Sequence, residues 1–177
     1  TNISLGIARI KEIRKKIVIL DSHINSPKTL HKKLQKLKKR RKRLYSKITN
    51  LMKEVHWKTA SYLCKNYDII LLPVFETQKM AKKINSKGKR RCLRKVTVSE
   101  MLTWSHYKFR LRLLHKASQY GKTVLIVDES YTSKTCSKCG WQNDKLGGSK
   151  TFKCKNCEIT IDRDHNAARN ILLKNTF

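Results

Sequence analysis

Four of the six cysteines in this chain fall into two close pairs, Cys136-x-x-Cys139 and Cys154-x-x-Cys157, separated by residues 140–153. Each pair can fold into a tight knuckle that presents two thiolates about 2.3 Å from one tetrahedral Zn2+. The fourteen intervening residues are just short of the roughly 15 to 20 usual for such sites. Two disulfides or a redox-active set of thiols are the competing readings. No signal peptide and no apolar span points to an oxidising compartment, so zinc is the expected occupant and the chain is expected to be intracellular.

The acids are the second group that can do chemistry. There are twelve Asp and Glu against forty-two Lys and Arg, and only two pairs stand close together, Asp128-Glu129 and Asp162/Asp164. Both flank the cysteine segment, where a strand is expected to end or a helix to start. On a basic surface they can serve as helix caps or salt-bridge partners. The sharper reading is coordination of divalent metal.

The elements that must position these groups are patterned clearly. A net charge of +30 on 177 residues makes a self-repelling surface that a polyanion would neutralise, which points to nucleic acid. No segment approaches the roughly 20 apolar residues of a membrane span, so no membrane partner is expected. Residues 5–24 place Ile7, Ile10, Ile13, Ile17, Leu20 and Ile24 at helical spacing, and Asn25-Ser26-Pro27 breaks the pattern. From Leu30 a heptad stripe runs through Leu34, Leu37, Leu44, Ile48, Leu51 and Val55, with Arg41 at the missing seam position. The two segments predict a helical hairpin, extended through His56–Leu63 with Trp57, Ala60 and Leu63 in the core.

The second helix opens with Lys32, Lys33, Lys36, Lys38, Lys39, Arg40, Arg41, Lys42 and Arg43, without an acid among them. So dense a run repels itself unless phosphates lie against it, and it is expected to bind a nucleic-acid backbone. Lys38 to Arg43 also fits a nuclear localisation patch, which places the chain in the nucleus if its host is eukaryotic or viral.

Residues 68–75 predict a buried strand ending near Pro73, and residues 79–95 a mobile basic loop. Ser99 is expected to cap one helix carrying Leu102, Phe109 and Leu113 and ending near Tyr120-Gly121. Residues 122–127 predict a second strand, residues 158–161 a short one, and residues 166–173 a closing helix that packs Ala167, Ile171 and Leu172 inward. The order predicts a mixed α/β (α+β) fold. Its expected parts are a hairpin at 1–67, core strands and a helix at 68–134, a zinc module at 135–157 and a closing motif at 158–177.

Residues 131–140 (YTSKTCSKCG) followed by 162–172 (DRDHNAARNIL) resemble the C-terminal signature of the transposon-encoded TnpB family, RNA-guided DNA endonucleases related to type V CRISPR effectors. Residues 69–80, 101–110 and 146–150 resemble its eukaryotic and viral branch, called Fanzor, and the likeness covers nearly the whole chain. The resemblance implies a partial RNase H-like (RuvC-type) core interrupted by a zinc ribbon. It also implies DNA and a guide RNA as partners, and Mg2+ as the catalytic metal of the complete protein.

Such nucleases use three or four carboxylates to hold two Mg2+ ions. The last acid of the set maps onto Asp164, with Asn166 beside it; Asp164 at a helix N-terminus would stay ionised while Asp162 caps the turn. His165 is expected to be structural. The middle acid maps onto Glu129 in the Fanzor-like branch, with Asp128 and Glu76 as alternatives, because Pro73 stands where many relatives carry Glu. The first acid has no counterpart: either Ser4 replaces it, or its strand precedes residue 1 and Ile7–Ile24 is the family's first helix. Little or no nuclease activity is therefore expected of this chain alone. A non-catalytic zinc-ribbon protein that binds DNA or RNA is the alternative. A ribosomal or RNA-binding protein fits the charge but not the acid pairs.

Overall fold

In the computed structural model, residues 2–27, 30–75, 77, 81, 82, 88 and 93–176 are described. They form two units: residues 1–67 with 77–121, and residues 68–76 with 122–177. The stretch 68–134 is thus shared between them.

The first unit begins with the hairpin, helices α1 (Asn2–Ile24) and α2 (His31–Asn66). Ser4 therefore sits on a helix and not on a strand. The isoleucine stripe of α1 meets the heptad stripe of α2, burying Ile10, Ile13, Ile17, Ile48, Met52 and Val55, with Leu44 and Leu51 partly covered. Gly6 permits the close approach, since a Cβ there would lie 2.8 Å from Cγ2 of Val55. Arg41, the odd residue of the seam, donates to Asp21 on α1 at 2.9 Å, so the gap in the stripe is filled by an interhelical ion pair. Leu30 precedes α2 and is 78% exposed, outside the seam. In the extension of α2, Ala60 is fully buried, while Trp57 is half-buried with its ring edge-on to His115.

The predicted single helix from Ser99 is two helices, α3 (Lys95–Trp104) and α4 (His106–Tyr120), broken at Ser105. Ser105 takes φ 45° and ψ 53°, a left-handed conformation that ends one helix and reorients the next. Ser99 is not a cap; its carbonyl, inside α3, accepts the Thr103 hydroxyl and a guanidinium N–H of Arg14. The break also shifts the buried face, leaving Leu102 exposed and Leu113 enclosed. Most of the basic stretch 79–95, and Glu76, lie outside the described residues.

The second unit holds two small sheets. Strands β1 (Ile69–Pro73) and β2 (Thr123–Val127) pair in parallel, Ile69 opposite Thr123 through Pro73 opposite Val127. The first is not the buried strand expected, since of its residues only Ile70 is enclosed and Ile69 is exposed; on the second, Val127 is enclosed while Leu125 and Ile126 are exposed. Parallel sheets are normally covered on both faces. Strands β3 (Thr151–Lys153) and β4 (Thr160–Asp162) pair antiparallel, with Phe152 opposite Ile161.

The short strand lies nearer the C-terminus than residues 158–161, because Glu158 takes φ 58° to close a knuckle before the strand can start. Helix α5 (Arg163–Thr176) ends the chain. Its enclosed residues are Asn166 and Asn170, whereas Leu172 is exposed and Ala167 and Ile171 are half-buried. Among the described residues no helix is long and apolar enough to cross a membrane.

Candidate metal centre and nucleic-acid interface

The two cysteine knuckles are built alike. After Cys136, the Gly140 N–H donates to the Cys136 carbonyl at 2.9 Å, and the Cys136 N–H donates to Trp141 at 2.8 Å. After Cys154, the Cys157 N–H reaches the Cys154 sulfur at 3.4 Å, and the Cys154 N–H donates to Ile159 at 3.0 Å. The residue after each second cysteine is left-handed, Gly140 at φ 76° and Glu158 at φ 58°. Only the first knuckle uses the residue that adopts this shape without steric cost.

The four sulfurs all lie within 4.8 Å of one another, with Cys136 to Cys157 at 3.6 Å and Cys139 to Cys154 at 3.5 Å. A tetrahedral Zn2+ with bonds of about 2.3 Å needs sulfur separations of about 3.8 Å, so the cluster closes on such an ion with little movement. Phe152, fully buried, packs against Cys136 and Cys154, with Trp141, Leu146, Ile159 and Ile161 around them.

Charge crowding supports the same assignment. The Trp141 N–H, then the Asn156 side chain, lowers the Cys139 thiol to about 6. The Ile159 N–H pulls Cys157 down, but burial and the sulfurs of Cys154, Cys139 and Cys136 push it up to about 12. Four thiolates cannot share this space without a cation, and a divalent metal relieves that repulsion. The cysteine cluster can bind a metal such as zinc. Among the described residues, no other group of three or more His, Cys, Asp or Glu is gathered closely enough to hold one.

The acids have separate fates. Asp162 accepts the N–H groups of Asp164 at 2.9 Å and His165 at 3.1 Å, so it caps α5, and these bonds lower its pKa. Asp164, one residue into the helix, is 88% exposed, with Arg163 Nε 3.8 Å away. Asp128 is engaged: it accepts from Lys174 at 2.7 Å and from the hydroxyl and N–H of Ser130 at 2.6 and 3.0 Å. Those bonds hold it at about 2. Glu129 has no side-chain partner among the described residues, and partial burial followed by the adjacent Asp128 raises its pKa. The structure thus leaves Glu129 and Asp164 as available carboxylates while Asp128 and Asp162 are bonded into the framework.

On α2, Lys32, Lys33, Lys36, Lys38, Lys39, Arg40, Lys42 and Arg43 are exposed, and Arg41 is half-buried against Asp21. The charges encircle the helix over three turns, a geometry suited to backbone phosphates and carrying no base-reading pattern.

Two features escaped the sequence reading because buried polar residues carry no periodic signal. His56 is 5% exposed; its Nε2–H donates to the Trp104 carbonyl at 3.0 Å and its Nδ1 accepts from Arg112 at 2.7 Å. Burial, then the Arg112 charge, lowers its pKa to about 4, so the ring is neutral. In the second unit, Asn166 accepts the Ser137 N–H and donates to the Thr135 carbonyl. Asn170 donates to the carbonyls of Thr132 at 2.8 Å and Thr135 at 2.6 Å. These two amides fasten α5, and with it Asp164, to the first knuckle.

Residues 106–171 match the family model of the Cas12f1-like TNB domain. This chain is a homologue of the TnpB-like proteins and of Cas12f1. Over 167 residues it is 36% identical to the putative transposase A625R of Paramecium bursaria Chlorella virus 1, covering 94% of this chain and 36% of that protein. It is 34% identical over 171 residues to TnpB-like protein L79 of Acanthamoeba polyphaga mimivirus, covering 96% and 32%. Among solved structures, the cryo-EM structure of the Cas12f1-sgRNA-target DNA complex contains a chain that matches with a TM-score of 0.53 and 25% identity. That match covers 91% of this chain and 40% of the other. Other homologues include a putative RNA-guided DNA endonuclease, InsQ of Escherichia coli. The chain spans about a third of the length of the curated relatives it matches.

Proposed function

We propose that this chain is the nucleic-acid-binding C-terminal part of an RNA-guided DNA endonuclease of the TnpB/Fanzor kind, with a zinc ribbon inserted in a partial RuvC-like core. The observation that carries this reading is the division of labour at the start of α5. Asp162 is spent on the cap, and Asn166 and Asn170 clamp the helix to the cysteine module, so Asp164 is held rigidly yet left exposed.

Zinc acts structurally in this account, fixing the module from which α5 departs. In the complete protein, Mg2+ ions held by carboxylates would activate water and stabilise the leaving oxygen. Among the described residues Glu129 and Asp164 are the acids of that set not bonded into the framework, too few for a two-metal site, and we infer that the chain alone binds without cutting. The uncovered β1 and β2 fit this reading, since further strands of a longer protein would cover them. The nuclear patch at residues 38–43 fits a eukaryotic or viral host.

A non-catalytic nucleic-acid-binding remnant is the second reading, favoured by the absence of a gathered carboxylate cluster among the described residues. Both readings require binding through α2. Titrating zinc-loaded protein with duplex DNA and with RNA at several salt concentrations should show affinity falling steeply with salt. Changing Lys38, Lys39, Lys42 and Arg43 to Ala should weaken binding by about tenfold or more and flatten that slope. Unchanged affinity in the variant would remove α2 as the interface.

A further inference from the structure

Between α2 and the elbow that joins α3 to α4, the first unit has an open-sided pocket of about 170 Å3. Three cations line it, Lys53 from α2 and Lys108 and Arg112 from α4, together with the hydroxyls of Tyr45, Thr103 and Ser105. No acid lines it. Among the described residues none of the three cations is ion-paired. Among the described residues Arg112 has only the neutral His56 ring as a side-chain partner, so its charge is oriented without being cancelled.

The elbow adds a second element. The left-handed Ser105 starts α4 at the wall of this pocket, and no side chain caps the helix and no acid stands in its first turn. The positive end of a fifteen-residue helix therefore adds to the three cations. Ile48, Met52 and Leu102, with Thr49, form the rest of the wall, and its apolar part lowers the local dielectric and strengthens charge-assisted bonds.

We propose that this pocket is a phosphate-binding site, holding one tetrahedral oxyanion between Lys53, Lys108 and Arg112 at the α3–α4 elbow. Arg112 supplies planar paired donors held in place by His56, the two lysines supply mobile point charges, and the Tyr45 hydroxyl is a further donor, whereas the hydroxyls of Thr103 and Ser105 already donate to the carbonyls of Ser99 and Leu102. The phosphate can be a free ion or a backbone phosphodiester. The inference rests on the nucleic-acid reading above only for the second source.

The test is amide NMR of the zinc-loaded full chain, titrated first with inorganic phosphate and then with a short single-stranded oligonucleotide. Phosphate should shift the amides of Thr103, Ser105 and Lys108 saturably. The double variant Lys53→Ala/Lys108→Ala, both at exposed positions, should weaken that binding by about tenfold or more. A control of equal charge change, Lys11→Ala/Lys15→Ala on α1, should leave it within about twofold, since general electrostatics are salt-screened.

If the oligonucleotide moves the same amides and phosphate competes with it, the source is the backbone. If phosphate binds there and the oligonucleotide binds nowhere, the pocket stands and the nucleic-acid reading falls. If the oligonucleotide binds while neither ligand moves the elbow amides, or if both double variants lose phosphate equally, the pocket proposal is overturned.

Discussion

The four cysteines and the four acids that flank them are treated by the fold in opposite ways. The cysteines come from two hairpin-like turns, each closed by its own backbone bonds, and their sulfurs are gathered around a buried Phe152. The acids come from the ends of β2 and β4. Two are absorbed as structural acceptors and two are not, and among the described residues no three of these acids are gathered closely enough to hold a metal. A metal site made of local turns can be complete within one short segment. The acids, drawn from separate elements, are not gathered into such a set among the described residues.

The largest effect should come from attacking the enclosed set. Chelation, or Cys154→Ser, should release about one zinc per chain and abolish the ordered environment of Trp141 and Phe152, while the α1–α2 hairpin keeps its helical circular dichroism. A thermal melt and near-ultraviolet spectrum unchanged by chelator would break the contrast at its stronger end.

Acid should separate the two units. His56 has its folded pKa at about 4 against an ordinary 6.5, so the unfolded chain takes up a proton below 6.5 that the folded chain refuses until about 4. Its contribution is complete above pH 6.5 and lost as pH falls toward 4, a change of about 3 kcal/mol. His56→Gln should remove that part of the pH dependence in denaturant titrations, leaving the contributions of His106, whose pKa burial also lowers, of the bonded carboxylates Asp128 and Asp162, and of the cysteine module. An equally steep profile in the variant would refute the assignment.

Next in size is the clamp beneath Asp164. Asn170→Ala strands two inward carbonyls and should cost about 2 kcal/mol. The exposed Asp164→Asn should leave the melting temperature unchanged. Equal losses in both variants would mean that Asp164 is structural and not an available ligand.

The smallest effect concerns the asymmetry between the knuckles. Glu158→Gly places glycine where Gly140 already stands in the other turn and should stabilise the module by about 0.5 to 1 kcal/mol, measurable as a raised melting temperature with zinc bound.

What could be read from the sequence follows the same division. The cysteine spacing and the isoleucine and leucine stripes of α1 and α2 are short-range patterns; the stripes marked both helices, and the spacing marked four sulfurs that the fold gathers. Asp162 as the cap of α5 was readable too, because its partners are two and three residues away.

The helix break at Ser105 was not readable, since a serine held at positive φ without glycine or proline leaves no mark in composition. Nor was the inner face of α5: apolar Leu172 invited burial, but carbonyls in the 132–135 turn are better matched by the amides of Asn166 and Asn170. The apolar run of β1 implied a buried strand, yet of its residues only Ile70 is enclosed. Glu129 and Asp164 could be named from resemblance. What distinguishes them from Asp128 and Asp162 is the hydrogen bonding that only the fold reveals.

The most direct measurement is to incubate zinc-loaded chain with labelled DNA and Mg2+ and to follow both retention and strand scission. Salt-sensitive binding with no cleavage is the expected result, because the described carboxylates do not complete a two-metal site. Mg2+-dependent cutting that is abolished by Asp164→Asn would contradict it.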